Sequence, residues 1–136
     1  MFLGEYKLKF TGKGRVILPK KMRDEITGRE VVLSRGFEEC IFGYDLKSWK
    51  IEAEKQFEIS NTEERGRTLR RYMFSASVPV ELDAQGRFVI PSALLTYAKV
   101  GREIVIIGAG DHFEIWNNKL WEKYLKEMEG VYGRVS

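Results

Sequence analysis

The chain has 136 residues, 43% hydrophobic and 32% charged, which bounds it to one compact domain or two small coupled ones with a real core. One cysteine, Cys40, excludes an intrachain disulfide framework, and a net charge of +3 is only weak support for a polyanionic partner. No apolar run approaches the roughly 20 residues of a membrane helix, and charge arrives at Glu5, so a cytoplasmic chain without a signal peptide is expected.

Residues 5–10 alternate charge and bulk, which predicts a half-buried strand with Tyr6, Leu8 and Phe10 inward. Thr11-Gly12-Lys13-Gly14 reads as a turn, because glycine permits positive φ. Residues 15–18 form a short β-branched strand that Pro19 ends, followed by a short helix over 20–26 with Met22 and Ile26 facing in and Gly28 at its C-terminal cap. Residues 31–33 and 40–44 are two further strands, the second holding Cys40 as a small buried residue. From Leu46 the period becomes helical through Trp49, Ala53, Phe57 and Ile59. Ser60-Asn61-Thr62 breaks that helix, and Asn61 or Thr62 is the expected N-cap of a second one with Leu69, Met73 and Phe74 as its apolar side. Strand patterns return at 75–82, 88–90, 103–108 and 112–117. A short helix through Leu94, Leu95 and Ala98 follows Pro91, and Asn118 opens a final helix with Leu120, Trp121, Tyr124, Leu125 and Met128. The tail 130–136 is expected to be loose.

The chain repeats itself. Lys13-Gly14-Arg15-Val16-Ile17-Leu18-Pro19 recurs 72 positions later as Gln85-Gly86-Arg87-Phe88-Val89-Ile90-Pro91. Gly28-Arg29-Glu30 recurs as Gly101-Arg102-Glu103, and Trp49 as Trp121. So many ordered landmarks imply one duplicated unit. The boundaries read as unit 1 over 5–47, a linking helical hairpin over 48–75, unit 2 over 76–119, and a C-terminal helix and tail over 120–136. A unit of about four short strands cannot bury both faces alone. The expected fold is therefore α+β, mainly β with helices: two copies paired about a pseudo-twofold axis, closing a β-barrel without exposed edges.

Catalytic signals are weak. His112, the single histidine, has Asp111 and Glu114 nearby, which reads as an acid/base pair or, more simply, as a local cap at a turn. Metal-ligand spacing, a nucleophile elbow and a phosphate-binding glycine loop are all missing, so no metal, no cofactor and no enzyme is expected. The Gly-Arg phrases are more informative. Each puts an arginine at the start of a strand beside a glycine turn, where backbone can approach a ligand closely and a planar guanidinium can meet phosphate or guanine. Lys9 and Lys13 add charge to the first copy, and Gln85 retains hydrogen bonding in the second. Residues 1–75 hold 16 Lys/Arg against 12 Asp/Glu and residues 76–136 hold 7 against 8, so the basic excess lies in the first part. Lys9, Lys13, Gly14, Arg15, Gln85, Gly86 and Arg87 are the candidate DNA-binding residues. A purely structural reading stands beside this one: Asp83 braces its turn by pairing with Arg87, and both roles can coexist. Arg65, Arg67, Arg70 and Arg71 spread around their helix and suggest a solvated face or salt bridges to Glu54, Glu58 and Glu63, with a subunit contact or the rim of a DNA site as the alternative. Trp49, Trp116, Trp121, Tyr44 and Tyr124 suggest packing of helices on the barrel.

These residues resemble the MraZ family of bacterial proteins. The resemblance is carried by Lys13-Gly14-Arg15 with Pro19 and Arg23, Arg35-Gly36-Phe37 through Cys40-Ile41-Phe42 to Trp49, Asp83-Ala84-Gln85-Gly86-Arg87 with Pro91, and 110–116 with Trp121. It runs nearly end to end. It implies two tandem swapped-hairpin units of the SpoVT-AbrB type and a cytoplasmic, nucleoid-associated transcriptional regulator. The implied partners are double-stranded DNA, at short repeats upstream of the division and cell-wall gene cluster, and copies of the chain itself in a ring-shaped homo-oligomer. The family signature Asp-x-x-x-Arg is kept at Asp83 and Arg87 but altered in the first copy, where Thr11 precedes Arg15. Thr11 can brace the turn through its hydroxyl. Readings from other classes are a non-catalytic protein-interaction scaffold, a nonspecific nucleoid protein, and an antitoxin-like partner binder.

Overall fold

The computed structural model describes residues 1–10 and 14–133. The expected turn at Thr11, Gly12 and Lys13, and the last residues of the tail, lie outside the described residues. Eight strands and five helices follow the predicted order: β1 Glu5–Lys9, β2 Arg15–Ile17, α1 Lys20–Arg23, β3 Glu30–Arg35, β4 Ile41–Asp45, α2 Leu46–Phe57, α3 Glu64–Ala76, β5 Val78–Glu81, β6 Arg87–Val89, α4 Ser92–Tyr97, β7 Glu103–Gly108, β8 Phe113–Asn117 and α5 Asn118–Tyr132.

The fold is α+β, as expected, but the barrel is not formed. The strands make an open antiparallel sheet in the order β1-β7-β8-β4-β3-β5 and a separate two-stranded ribbon, β2-β6. β1 pairs only with β7 and β5 only with β3, so the two outer strands never meet. The physical reason is the ribbon. Its buried residues Val16 and Phe88 join Val31, Leu33, Ile41, Ile104, Ile106, Phe113 and Ile115 in one core cluster with Met22 of α1 and Leu94 of α4. The inner face of the sheet is thus covered by a second layer, and curling closed would bury nothing more. The open edges carry Glu5, Lys7 and Lys9 on β1 and Pro79 on β5, residues that discourage pairing with another strand.

The outer face is covered by helices. Val105, Ile107 and Trp116 pack with Trp121, Tyr124 and Met128 of α5, and Trp116 stacks on Tyr124 at 5.1 Å. Trp49 of α2 meets Tyr44 of β4 and Phe74 of α3 edge-on at 5.5 and 5.9 Å. Both packing helices start on a side-chain cap at equivalent positions. Asp45 Oδ1 accepts from Ser48 N at 3.0 Å, and Asn117 Oδ1 accepts from Lys119 N and Leu120 N. Among the described residues, no helix is long and apolar enough to cross a membrane.

Three local expectations are corrected. The N-cap of α3 is Glu63, without a side-chain bond, because Ser60 Oγ engages Thr62 N and holds 60–62 in its own turn. Of the expected salt bridges of the arginine cluster, Arg65 to Glu63 forms at 3.1 Å. Arg67 and Arg70 instead donate to backbone carbonyls of the turn between α2 and α3, those of Thr62 and Ile59 at 2.8 and 2.9 Å. Finally, α5 continues to Tyr132, through Gly130, so the tail is helical further than composition suggests.

The seam between the copies depends on one glycine. Gly43 of β4 lies opposite Phe113 of β8, and a Cβ added at Gly43 would sit 2.2 Å from the Phe113 ring. Gly43→Ala is therefore expected to lower the unfolding free energy by about 1–3 kcal/mol through overpacking. Gly101→Ala, where an added Cβ meets nothing within 4 Å, is expected to be neutral. Urea denaturation of the two variants makes the comparison.

Candidate nucleic-acid interface

The repeated phrases become the two strands of the ribbon. β2 and β6 pair antiparallel with Arg15 opposite Val89, Val16 opposite Phe88 and Ile17 opposite Arg87. Alternation does the rest. Val16 and Phe88, 4% and 2% exposed, point into the core. The solvent face then carries Arg15, Ile17, Arg87 and Val89. Two arginines 72 residues apart in the chain are brought to diagonal positions of one small face, on the order of 7–8 Å apart at the backbone.

The glycines make this pairing possible. Gly14 and Gly86 have φ of +74° and +80°, the left-handed region that side chains resist. Their carbonyls accept from the far end of the opposite strand, Gly14 O from Ile90 N at 2.7 Å and Gly86 O from Leu18 N at 2.9 Å. These bonds alternate with the intervening pairs, which places Arg15–Val89 and Ile17–Arg87 at the narrow positions of the ladder, where facing side chains come closest.

The two turns are supported differently. In the second, Asp83 Oδ1 accepts from Gln85 N and Arg87 N, both at 2.9 Å, and Oδ2 accepts from Arg87 Nε at 2.8 Å. Arg87 is thus tethered with its direction fixed, while its side chain remains 42% exposed. The Asp83 carboxyl is lowered to about 2, first by the bond from the Arg87 backbone N–H and then by the Arg87 side chain. Gln85 is exposed, and its carbonyl accepts from Arg23 Nη1 at 3.0 Å. Arg23 comes from α1, in the first copy, and lies so close to Gly86 that an added Cβ would meet its Cδ at 2.0 Å. The equivalent neighbour of Gly14 is Leu95 of α4. Among the described residues, Arg15 has no hydrogen-bond or ion-pair partner. Lys9 stands apart from the ribbon, on β1 opposite Glu103. The calls on Lys13 and Thr11 lie outside the described residues.

Arg23, Ile17 and Val89 were not singled out by the sequence as site residues. Arg23 stood out only as one of the residues carrying the family resemblance and as a mismatch between the copies, its counterpart being Leu95. The other polar cluster, around His112, is occupied internally. Its ring nitrogens bond Asp111 Oδ1 at 2.7 Å and Glu114 Oε2 at 2.8 Å, and Glu114 Oε1 accepts from Trp116 Nε1. The ring also stacks on Tyr44 at 5.2 Å, tying β8 to β4. Burial alone depresses the His112 pKa, but the two carboxylates outweigh it and the net shift is upward. Among the described residues, no cluster of histidine, cysteine or acidic side chains could hold a metal ion.

Residues 1–72 and 73–131 each match the sequence profile of the family described as "MraZ protein, putative antitoxin-like". The chain is 39% identical to a transcriptional regulator MraZ of Halothermothrix orenii, across 100% of this chain and 94% of that protein. It is 41% identical to one of Caldicellulosiruptor bescii, across 94% and 87%, and 41% identical to one of Finegoldia magna, across 97% and 92%.

The bracing of the second turn has a titration signature. Because the folded Asp83 carboxyl is depressed, its contribution to stability is complete above the ordinary value of 3.8 and is lost as pH falls through about 2. In Arg87→Ala the backbone bonds to Asp83 survive and only the guanidinium is removed. Carboxyl NMR should then show the midpoint rising part of the way toward 3.8, not reaching it.

Proposed function

Because the chain belongs to the MraZ family, we propose that it is a sequence-specific, DNA-binding transcriptional regulator acting by binding and not by catalysis. The observation that carries this reading is the solvent face of the β2–β6 ribbon, which presents Arg15 and Arg87 together. A two-stranded ribbon has the width that the major groove of duplex DNA admits, and a guanidinium can bond guanine O6 and N7 or straddle a phosphate. Gly14 and Gly86 supply the positive-φ turns from which each arginine strand starts. Lys13 and Gln85 act around this centre as charge and hydrogen-bonding groups and Lys9 as a more distant charge on β1, with Thr11 and Asp83 bracing the turns.

In this reading the chain comprises units 5–47 and 76–119 in a pseudo-twofold, swapped-hairpin relation. The strand order supports it, since exchanging each strand for its counterpart reverses the list β1-β7-β8-β4-β3-β5. The hairpin 48–75 links the units, and 120–136 completes the second. A single ribbon offers few contacts and binds weakly. A ring of copies on the promoter repeats of the division and cell-wall cluster, in the cytoplasm on the nucleoid, would set several ribbons at fixed spacing, and effective concentration would supply the affinity.

Arg15→Ala and Arg87→Ala should each weaken binding to a duplex from upstream of the chain's own gene by about 5- to 150-fold, the range of one lost bidentate contact. Each should also reduce the slope of log affinity against log salt by about one. Fluorescence anisotropy at several salt concentrations, with a scrambled duplex of equal length as control, gives both numbers. Unchanged affinity in both variants would remove the ribbon as the interface. Equal binding of the two duplexes would make the protein a nonspecific nucleoid component, and no binding would favour the interaction scaffold.

A further inference from the structure

We propose that Ile17 and Val89 read thymine by its C5 methyl group, so that the ribbon specifies an apolar contact beside each arginine contact. This rests on the DNA-binding reading above.

The observation is a pair of misplaced side chains. The ribbon buries one face almost completely, yet its other face exposes Ile17 at 54% and Val89 at 51%. They are equivalent residues of the two copies, 72 positions apart. The register puts Ile17 opposite Arg87 and Val89 opposite Arg15. The face is therefore a quartet with guanidinium groups on one diagonal and branched aliphatic groups on the other. Among the described residues, no helix covers it. The apolar residues that α1 and α4 bury, Met22 and Leu94, pack in the core on the ribbon's other side.

The occupant that fits such a quartet must offer acceptors or anionic oxygens to the arginines and a methyl-sized apolar group beside them. The major groove offers this combination: guanine presents O6 and N7, thymine presents its C5 methyl, and phosphates line the rim. The minor groove presents no methyl group, so the quartet also selects the groove. Spacing agrees. Arg15 and Ile17, like Arg87 and Val89, lie two residues apart on one strand, roughly 6.8 Å. That equals two base steps of about 3.4 Å. A thymine within two positions of each contacted guanine is the expected pattern. Charge complementarity points the same way, because Asp83, the carboxylate bonded at this face, is already engaged by Arg87.

The test replaces thymines by deoxyuridine in the duplex from upstream of the chain's own gene, which removes the methyl group and leaves pairing and charge intact. Wild-type protein, the double variant Ile17→Ala/Val89→Ala, and Arg15→Ala are titrated by anisotropy at fixed salt. The wild type should bind the substituted duplex about threefold to tenfold more weakly per thymine read, the effect of losing one buried methyl contact. The double variant should bind the native duplex more weakly, with an unchanged salt slope and no further loss on substitution. Circular dichroism checks that the variant keeps its fold, which two exposed truncations should not disturb. A wild type indifferent to deoxyuridine overturns the proposal. So does a double variant with the full deoxyuridine penalty. If either occurs while Arg15→Ala still abolishes preference for the native duplex, the regulator reading survives and only the thymine reading falls. If wild type shows no preference for the native duplex, both fall.

Discussion

The pairing of β2 with β6 is the constraint on which the rest depends. Each is a three-residue strand that, among the described residues, pairs with the other copy and not with its own. Their pairing joins sequence segments 72 residues apart, and it is fixed at both ends by the carbonyls of Gly14 and Gly86. Once Val16 and Phe88 are committed to the core, alternation leaves no choice about the other side chains. A slip of β2 by one residue would bury Arg15 and expose Val16, and a slip of β6 would bury Arg87 and expose Phe88. The position of Arg15 and Arg87 is thus enforced by hydrophobic burial elsewhere in the ribbon, and the flat outer face comes at no separate energetic cost. The same logic extends to the large sheet, where β1 pairs with β7 and β5 with β3, so neither copy completes its own sheet.

Much of this was legible locally. Period-two alternation located the strands because each has one buried face, and the helical period located α2, α3 and α5 because each lays one apolar stripe on the sheet. The glycine turns were legible through their chemistry. What was not legible is which strand pairs with which. The pattern of β1 says that Tyr6 and Leu8 point inward, but not that their neighbours belong to β7, and so closure into a barrel could not be told from layering. Arg23 was hidden for a related reason. Its partner, the Gln85 carbonyl, lies 62 residues away, and nothing in the local pattern of a four-residue helix signals a contact at that range. The cap of α3 was missed because Ser60, Asn61 and Thr62 are all good caps, and the contest is settled by the tight turn that Ser60 and Thr62 make with each other.

Duplication has left the two halves alike in backbone and unlike in charge. Positions 9, 11, 13 and 15 are Lys, Thr, Lys and Arg, whereas their counterparts 81, 83, 85 and 87 are Glu, Asp, Gln and Arg. The first set carries three positive charges and no negative one, and the second carries one positive and two negative. The register shows the same divergence, with Lys9 opposite Glu103 but Glu81 opposite Glu30. Opposite charges across strands favour pairing and like charges oppose it, so the β5 edge relies on its apolar neighbours more than the β1 edge does.

That divergence gives the two arginines different physical characters. Arg87 is held by Asp83, so its side chain is already ordered and its charge partly neutralised. Arg15 has no such tether among the described residues, and ordering a side chain of this kind costs on the order of 1.5–2 kcal/mol. The structure tempers the imbalance across the copies. The first copy sends Arg23 to the second turn, where it packs beside Gly86 and donates to the Gln85 backbone carbonyl, placing a second positive charge at the end of the ribbon that holds Asp83. The second copy sends only Leu95 to Gly14, which needs no such correction. An exchange of this kind requires that the copies be covalently joined and different. Two identical chains pairing in the same way would place the same residue at both turns, and could not brace one arginine with a carboxylate while leaving the other without that partner.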